Sequence, residues 1–277
     1  MKLTDVSKTA IVTLRCRVTE SERDKPILHD TMARFCLDRL RAWATPDEEA
    51  VLFDKPQPQT LTNPMALRAR KYDLIASNFI SRNPSSTVVN LGCGFDTRYW
   101  RIDHAQCRFI ELDLPEVVEI KKELLGERLT YELIGCSVLD TAWIDSITAN
   151  GNSHFLLLAE GLFMYLHKAD VIRLLKTISE RFTRSQITQE VVTEAYTRGI
   201  WKKIVEGKMK RQLGLDAGSA FNFGIRNARE LETYGQGIRV VDEWSFVDDP
   251  DVRPRFYRYL GIGRTQWTVT ATINAAG

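Results

Sequence analysis

The sequence predicts an α/β fold built on a doubly wound, mostly parallel sheet. Three observations predict it. Short β-rich runs alternate with amphipathic helical patterns between residues 87 and 193, the mark of parallel strands joined by crossover helices. The run His154–Ala159 (HFLLLA) is almost wholly apolar, as a strand covered on both faces should be. The run Thr87–Leu91 feeds directly into Gly92-Cys-Gly94, a tight turn suited to the carboxyl edge of such a sheet, where ligands bind in open α/β folds.

The elements follow in chain order. Residues 1–45 read as helical, with polar and apolar positions mixed. Residues 54–64 (DKPQPQTLTNP) carry three prolines and read as a surface loop. A helix over about 65–82 follows, because Tyr72, Ile75, Ala76, Phe79 and Ile80 share one face. Asn83-Pro84 stops it. Strands are expected at Thr87–Leu91, Arg108–Leu112, Tyr131–Val138, His154–Ala159 and Ile187–Thr193. Pro115 opens a helix carrying Val117, Val118, Ile120 and Leu124. Val171, Leu174, Leu175, Ile178 and Phe182 mark another. Asn227-Ala-Arg-Glu230 has the form of a capping box before a short helix. Ile238–Val247 and Gln266–Ile273 close the chain as a hairpin-like pair, one strand antiparallel to the sheet.

Composition narrows the function. The chain has 277 residues, 44% of them apolar, enough for a sizeable core. A net charge of +2 gives no footprint for broad nucleic-acid binding. No apolar run reaches the roughly 18 residues of a membrane span, and the N-terminus has no apolar signal segment. Five cysteines never form a CxxC pair, and four histidines never form an HxxxH pair. Neither a disulfide scaffold nor a metal site is expected, and a cytoplasmic setting is.

The chemistry concentrates in Val88–Arg101 (VVNLGCGFDTRYWR) and Phe109–Asp113. Gly92 and Gly94 let the backbone approach a ligand closely. Asp113 lies 21 residues after Gly92, at the end of the next strand, where a carboxylate can bind a ribose diol. A dinucleotide site would want a third glycine, but Thr97 stands there and Asp96 enters the loop. An anionic side chain repels a diphosphate. It suits a cofactor with no phosphate, an ammonium and a sulfonium, which is S-adenosylmethionine. A nicotinamide oxidoreductase using the same turn is the alternative, as is a cofactor-binding module without turnover.

The phrases NLGCGFDTRYWR, ELDLPEVVEIKKELL and LLLAEGLFMYL resemble the leucine carboxyl methyltransferase family. The likeness is greater to its bacterial branch of tetracenomycin-type polyketide O-methyltransferases, and it runs from about residue 10 to about 250. The resemblance implies a class I methyltransferase fold with a seven-stranded sheet, N-terminal helices and a helical insertion forming a cap. One methyltransferase domain over 1–277 is expected. Its parts would be a helical cap at 1–84, a cofactor core at 85–197, a lid at 198–237 and sheet-completing strands at 238–277. The implied activity is methyl transfer from S-adenosylmethionine to a carboxylate or hydroxyl oxygen of a small molecule in secondary metabolism. The acceptor would be acidic or polyketide-like, with no nucleic-acid or membrane partner, on a monomer or homodimer.

The resemblance also implies residue roles. Arg70 would pair with the methionine carboxylate of the cofactor, with Arg68 its rival, since helix phase does not separate them. Gly92, Cys93, Gly94 and Asp96 would line the cofactor; Asp113, with Leu114 beside it, would hold the ribose. Ser137, Val138, Leu139 and Asp140 would meet the adenine, although Asp140 also suits a helix cap. Glu160-Gly161 would lie near the methionine end; separately, a carboxylate closing an apolar strand needs a partner. Glu160, Tyr165 and His167 are the candidate catalytic groups, none an unmistakable base, and Tyr165 suits a core position as well. The basic stretch Arg198–Arg211 and the Gly-rich 214–224 would form a lid over an acidic acceptor, or a solvated face.

Overall fold

The computed structural model describes residues 5–104, 107–149, 154–204, 207, 221–259 and 265–274. Two helices open the chain, α1 (Asp5–Ser21) and α2 (Thr31–Trp43), followed by the single turn α3 (Pro46–Glu49). The long helix α4 spans Gln59–Arg82. It starts inside the segment expected to be a loop. Pro58 supplies the N-cap position, and Pro64 sits within the helix near its start. Tertiary contacts hold that early turn: Asn63 donates to the carbonyl of Asp251 (3.1 Å) and accepts from the amide of Arg253 (2.7 Å).

Seven strands form one sheet: β1 (Thr87–Leu91), β2 (Arg108–Asp113), β3 (Glu132–Gly135), β4 (Phe155–Ala159), β5 (Ser185–Val192), β6 (Ile238–Trp244) and β7 (Gln266–Ile273). Their spatial order is β3-β2-β1-β4-β5-β7-β6. The first five are parallel, and β7 runs antiparallel to both β5 and β6. The third strand is shorter than expected: it ends at Gly135, and the Cys136 amide then donates to the Asp113 carbonyl (2.9 Å).

Between the strands lie α5 (Pro115–Leu125), α6 (Ala142–Thr148) and α7 (Lys168–Arg181). Strand alternation divides the core. Val88, Phe109, Leu156 and Leu158 face Tyr72, Ala76, Phe79 and Ile80 of α4. Val89, Leu91, Ile110, Leu112 and Leu157 face α6 and α7 on the other side. A third cluster joins α1, α2 and α5 to Phe95, just after the glycine turn. Residues 228–233 form a 3-10 turn, with the Asn227 side chain accepting from the Glu230 amide (3.2 Å). Among the described residues, no helix is long and apolar enough to cross a membrane.

Candidate active site

Four strand ends converge at the carboxyl edge. The amides of Gly92 and Cys93 both donate to the Leu112 carbonyl (2.8 and 3.2 Å), which pins the turn after β1 to the end of β2. Gly92 and Gly94 both take positive φ, +63° and +48°, a conformation side chains resist. Both are also crowded. A Cβ at Gly92 would stand 2.8 Å from Leu162, and one at Gly94 would stand 3.0 Å from Ala10 of α1. Helix α1 therefore lies over the turn, and Arg17 ties it there by donating to the Phe95 carbonyl (2.8 Å).

Asp113 ends β2, buried, with each carboxyl oxygen accepting one backbone amide: Gly94 (2.6 Å) and Leu114 (2.7 Å). Burial pushes its carboxyl up, against those amides and Lys121. Ser137–Asp140 follow β3, adjoining the end of β2. The Ser137 hydroxyl accepts from the Leu139 amide (3.2 Å). Val138 is a core residue whose carbonyl takes the Trp143 indole N–H (3.0 Å). Asp140 is exposed and accepts from the Ala142 amide (3.3 Å), one residue before Thr141, the N-cap of α6.

Glu160 closes β4 and holds two arginines. Arg68 Nε donates to Oε1 (2.7 Å) and Arg98 Nη2 to Oε2 (2.6 Å). The arginine on α4 that reaches the strand ends is thus Arg68. Arg70 points elsewhere, to Asp249 (2.8 Å) and Asp251 (2.7 Å), and is partly exposed. Two residues along a helix turn the side chain through about 200°, and that phase gives Arg68 and Arg70 different partners.

Behind Glu160 runs a buried ionic chain the sequence reading missed. Arg98, wholly buried, also binds Asp73 (2.9 Å) and Asp96. Arg101 binds Asp73 (2.7 Å), Asp30 (2.6 Å) and Asp96 (3.3 Å). Arg17 binds Asp30 (3.0 Å), which also caps α2 through the Ala33 amide (2.9 Å). Asp96 therefore lies under the turn with its oxygens committed to Arg98, Arg101, Asn90 and two backbone amides. Burial raises its pKa, but the guanidiniums outweigh it and hold the carboxyl far below the usual range. Glu160 is likewise lowered, by Arg68 and Arg98 against burial. The missed signal was the close spacing of one acid and two arginines in Asp96-Thr-Arg98-Tyr-Trp-Arg101. Glu190 on β5 was missed too. It stands in ITQEVV, after the polar Thr188 and Gln189, and so lacks the apolar frame that singled out Glu160.

Of the remaining catalytic candidates, Tyr165 is half-buried with its ring 5.8 Å from that of Phe221. Burial, with Glu190 nearby, pushes its phenol up to about 12. His167 is exposed at the start of α7 and makes no side-chain cap there. Cys93 is buried, and burial pushes its thiol well above the usual value, which makes it a poor nucleophile. The Gly-rich 214–220 and basic Lys208, Lys210 and Arg211 lie outside the described residues. A groove of about 690 Å³ opens at the opposite end of the sheet, lined by Leu74, Asn78, His154, Gln186 and Thr272. No converging set of buried acids and glycines accompanies it, so chemistry rather than volume places the site at the carboxyl edge.

Known structures carry the same fold. A protein from Thermobifida fusca named a putative methyltransferase superposes with a TM-score of 0.57 at 13% identity, covering 98% of this chain and 94% of that one. The magnesium protoporphyrin IX methyltransferase (ChlM) from Synechocystis PCC 6803, solved with bound S-adenosylhomocysteine, gives 0.50 at 11% identity over 85% and 98%. Sheet, glycine turn and relatives together define the chain as an S-adenosylmethionine-dependent methyltransferase. The family model for leucine carboxyl methyltransferase matches residues 10–179, and the chain belongs to that family. The tetracenomycin polyketide synthesis O-methyltransferase TcmP of Streptomyces glaucescens is 30% identical over 270 residues, 95% of this chain and 92% of that protein. The S-adenosyl-L-methionine-dependent methyltransferase dpfgK of Gibberella zeae is 28% identical over 96% of this chain and 87% of its own length.

Proposed function

We propose that this chain is an O-methyltransferase of cytoplasmic secondary metabolism whose acceptor is a small, polyketide-like molecule with an acidic oxygen. The observation that carries the reading is the meeting of the Gly92–Gly94 turn, Asp113 and Glu160 at adjoining strand ends. The residues present fit S-adenosylmethionine. Asp113 has a carboxylate with no cation bonded to it among the described residues, free to take further hydrogen bonds. The ionic chain that ends at the Glu160 turn holds more carboxylates than guanidiniums, which suits a ligand with excess positive charge and not a diphosphate. Tyr72 Oη, wholly buried on α4 beside Glu160 and Glu190, makes no hydrogen bond among the described residues.

Roles follow from position. Asp113 receives the ribose hydroxyls, and the backbone of Gly92–Gly94 lies along the cofactor. Arg68 binds the methionine carboxylate by a charge-assisted bond. Glu160 acts through Arg68 and Arg98, fixing both. Ser137–Leu139 border the adenine. When bound, the cofactor supplies an electrophilic sulfonium methyl. The protein aligns the acceptor oxygen with it and excludes water. Glu160 is committed to Arg68 and Arg98, and burial raises the Tyr165 phenol, which supports an acceptor oxygen that ionises on its own. Met65, Trp244 and Phe246 line a small cavity of about 30 Å³ beside Arg68, room for about one water.

Calorimetric titration with S-adenosylhomocysteine tests the reading. Wild type should bind in the micromolar range, and Asp113→Ala should weaken binding by about tenfold or more, ~1.4 kcal/mol. Folded wild type freed of co-purified ligand that binds nothing would overturn it.

A further inference from the structure

Glu190 sits on β5, one strand beyond Glu160, and its carboxyl is buried against the same turn. A Cβ built at Gly161 would stand 3.6 Å from Glu190 Oε2. Arg68 is shared between the two acids. Its Nη1 donates to both Glu190 oxygens (3.1 and 2.8 Å) while its Nε serves Glu160. Gln266 on β7 adds one further donor, Nε2 to Glu190 Oε1 (2.5 Å).

The charges in this chain of contacts do not balance. Among the described residues, Arg17, Arg68, Arg98 and Arg101 face Asp30, Asp73, Asp96, Glu160 and Glu190, four cations against five acids. The adjoining Lys121–Glu111 pair is neutral as a unit. A buried carboxylate in excess is costly, and the usual remedy is a proton. Asp30, Asp73, Asp96 and Glu160 each touch two guanidiniums. Glu190 has part of one, plus a neutral amide. Burial raises its pKa, Glu160 adds to that, and Arg68 with Gln266 does not fully offset them. The Gln266 amide accommodates either state, since its nitrogen donates to a carboxylate and its oxygen accepts from a carboxyl. Among the described residues, the other titratable groups facing Glu190 are Tyr72 on α4 and Tyr165 after β4, both raised by burial and uncharged.

We propose that Glu190 distinguishes the charged donor from the spent product: it carries a proton in the free protein, releases it to solvent when the sulfonium cofactor binds, and regains one with the thioether. The proposal rests on the cofactor reading above. The donor carries an ammonium and a sulfonium against one carboxylate, a net charge of +1; its product has lost the sulfonium and is neutral. Only the O–H bond of the Glu190 carboxyl breaks, and its proton goes to water. Linkage then fixes the sign: donor affinity falls as pH drops below the pKa of free Glu190, by up to tenfold per unit, while product affinity stays flat.

The test is calorimetry of wild type and Glu190→Gln with S-adenosylmethionine and S-adenosylhomocysteine, each in two buffers of different ionisation enthalpy. Wild type should release more protons to the donor than to the product. Glu190→Gln, which mimics the protonated acid, should erase that difference and the pH slope of donor affinity. Equal proton counts in wild type would overturn this proposal and leave the cofactor reading standing. Binding of neither ligand would overturn both. An infrared measurement needs no variant: the carbonyl stretch of a protonated carboxyl should vanish from wild type with donor and persist with product. Its absence from the free protein would sink the proposal.

Discussion

Arg68 joins two acids from adjacent strands, and its geometry sets the sharpest expectations at the scale of single residues. Arg68→Lys keeps the charge and loses the fork, which a bidentate site does not tolerate. It should lower affinity for S-adenosylhomocysteine at least about tenfold, ~1.4 kcal/mol. Arg70→Lys touches only a partly exposed pair of contacts, each worth up to about 1 kcal/mol in stability, and should leave that affinity within about twofold. Calorimetry on both variants checks the pair, and the reverse ranking would refute the assignment. Glu160→Gln leaves two buried guanidiniums short of a partner and should destabilise the fold by about 3 kcal/mol or more in denaturant unfolding. Cys93 should resist iodoacetamide in the folded protein and react only after unfolding, as mass mapping can show.

At the scale of elements, the turn after β1 is held twice over. Gly92→Ala meets both a positive φ, worth about 1–2 kcal/mol, and the side chain of Leu162. Adding Leu162→Ala should relieve the contact without relieving the backbone, so the double variant should recover only part of the lost stability. Full recovery in a thermal-unfolding comparison would show that crowding alone forbids a side chain there. The start of α7 is tied to the 228–233 turn through Glu230, which accepts from Lys168 (2.8 Å), Tyr234 (2.6 Å) and the Arg226 amide (2.9 Å). Burial raises the Glu230 pKa, but those donors win and hold the carboxyl at about 2. A lowered pKa stabilises the fold above the ordinary carboxylate range and is lost as pH falls toward 2. Glu230→Gln should flatten the acid side of the stability profile between about pH 4.5 and 2. The elements whose periodicity is unmixed were legible as written, down to the bounds of Thr87–Leu91 and Gln266–Ile273. The start of α4 was not, because Pro64 reads as a breaker locally while Asn63 is held by the distant 251–253 segment.

For the whole molecule, the sheet and its ligand edge were legible because strand spacing and glycine turns are local signals. The buried ionic chain was not. Asp30, Asp73, Arg98 and Glu190 come from the N-cap of α2, from α4, from the turn after β1 and from β5, far apart in the chain. Only the fold brings them together, and only the full count shows the surplus that points to Glu190. The sheet order has a consequence of its own. The last strand in the chain is not the last in the sheet: β7 slots between β5 and β6, so β6 reaches the rest of the sheet only through it. A nascent chain leaving the ribosome cannot lay these strands down in the order they are made. A chain stopped after Thr265 should fail to bind S-adenosylhomocysteine and lose cooperative unfolding, and a synthetic peptide of residues 266–277 added in trans should restore part of both. The same late strand brings Gln266 to Glu190. Translation past residue 273 is therefore needed to complete the sheet, and a product terminated earlier offers its unpaired strand edges to chaperones and proteases.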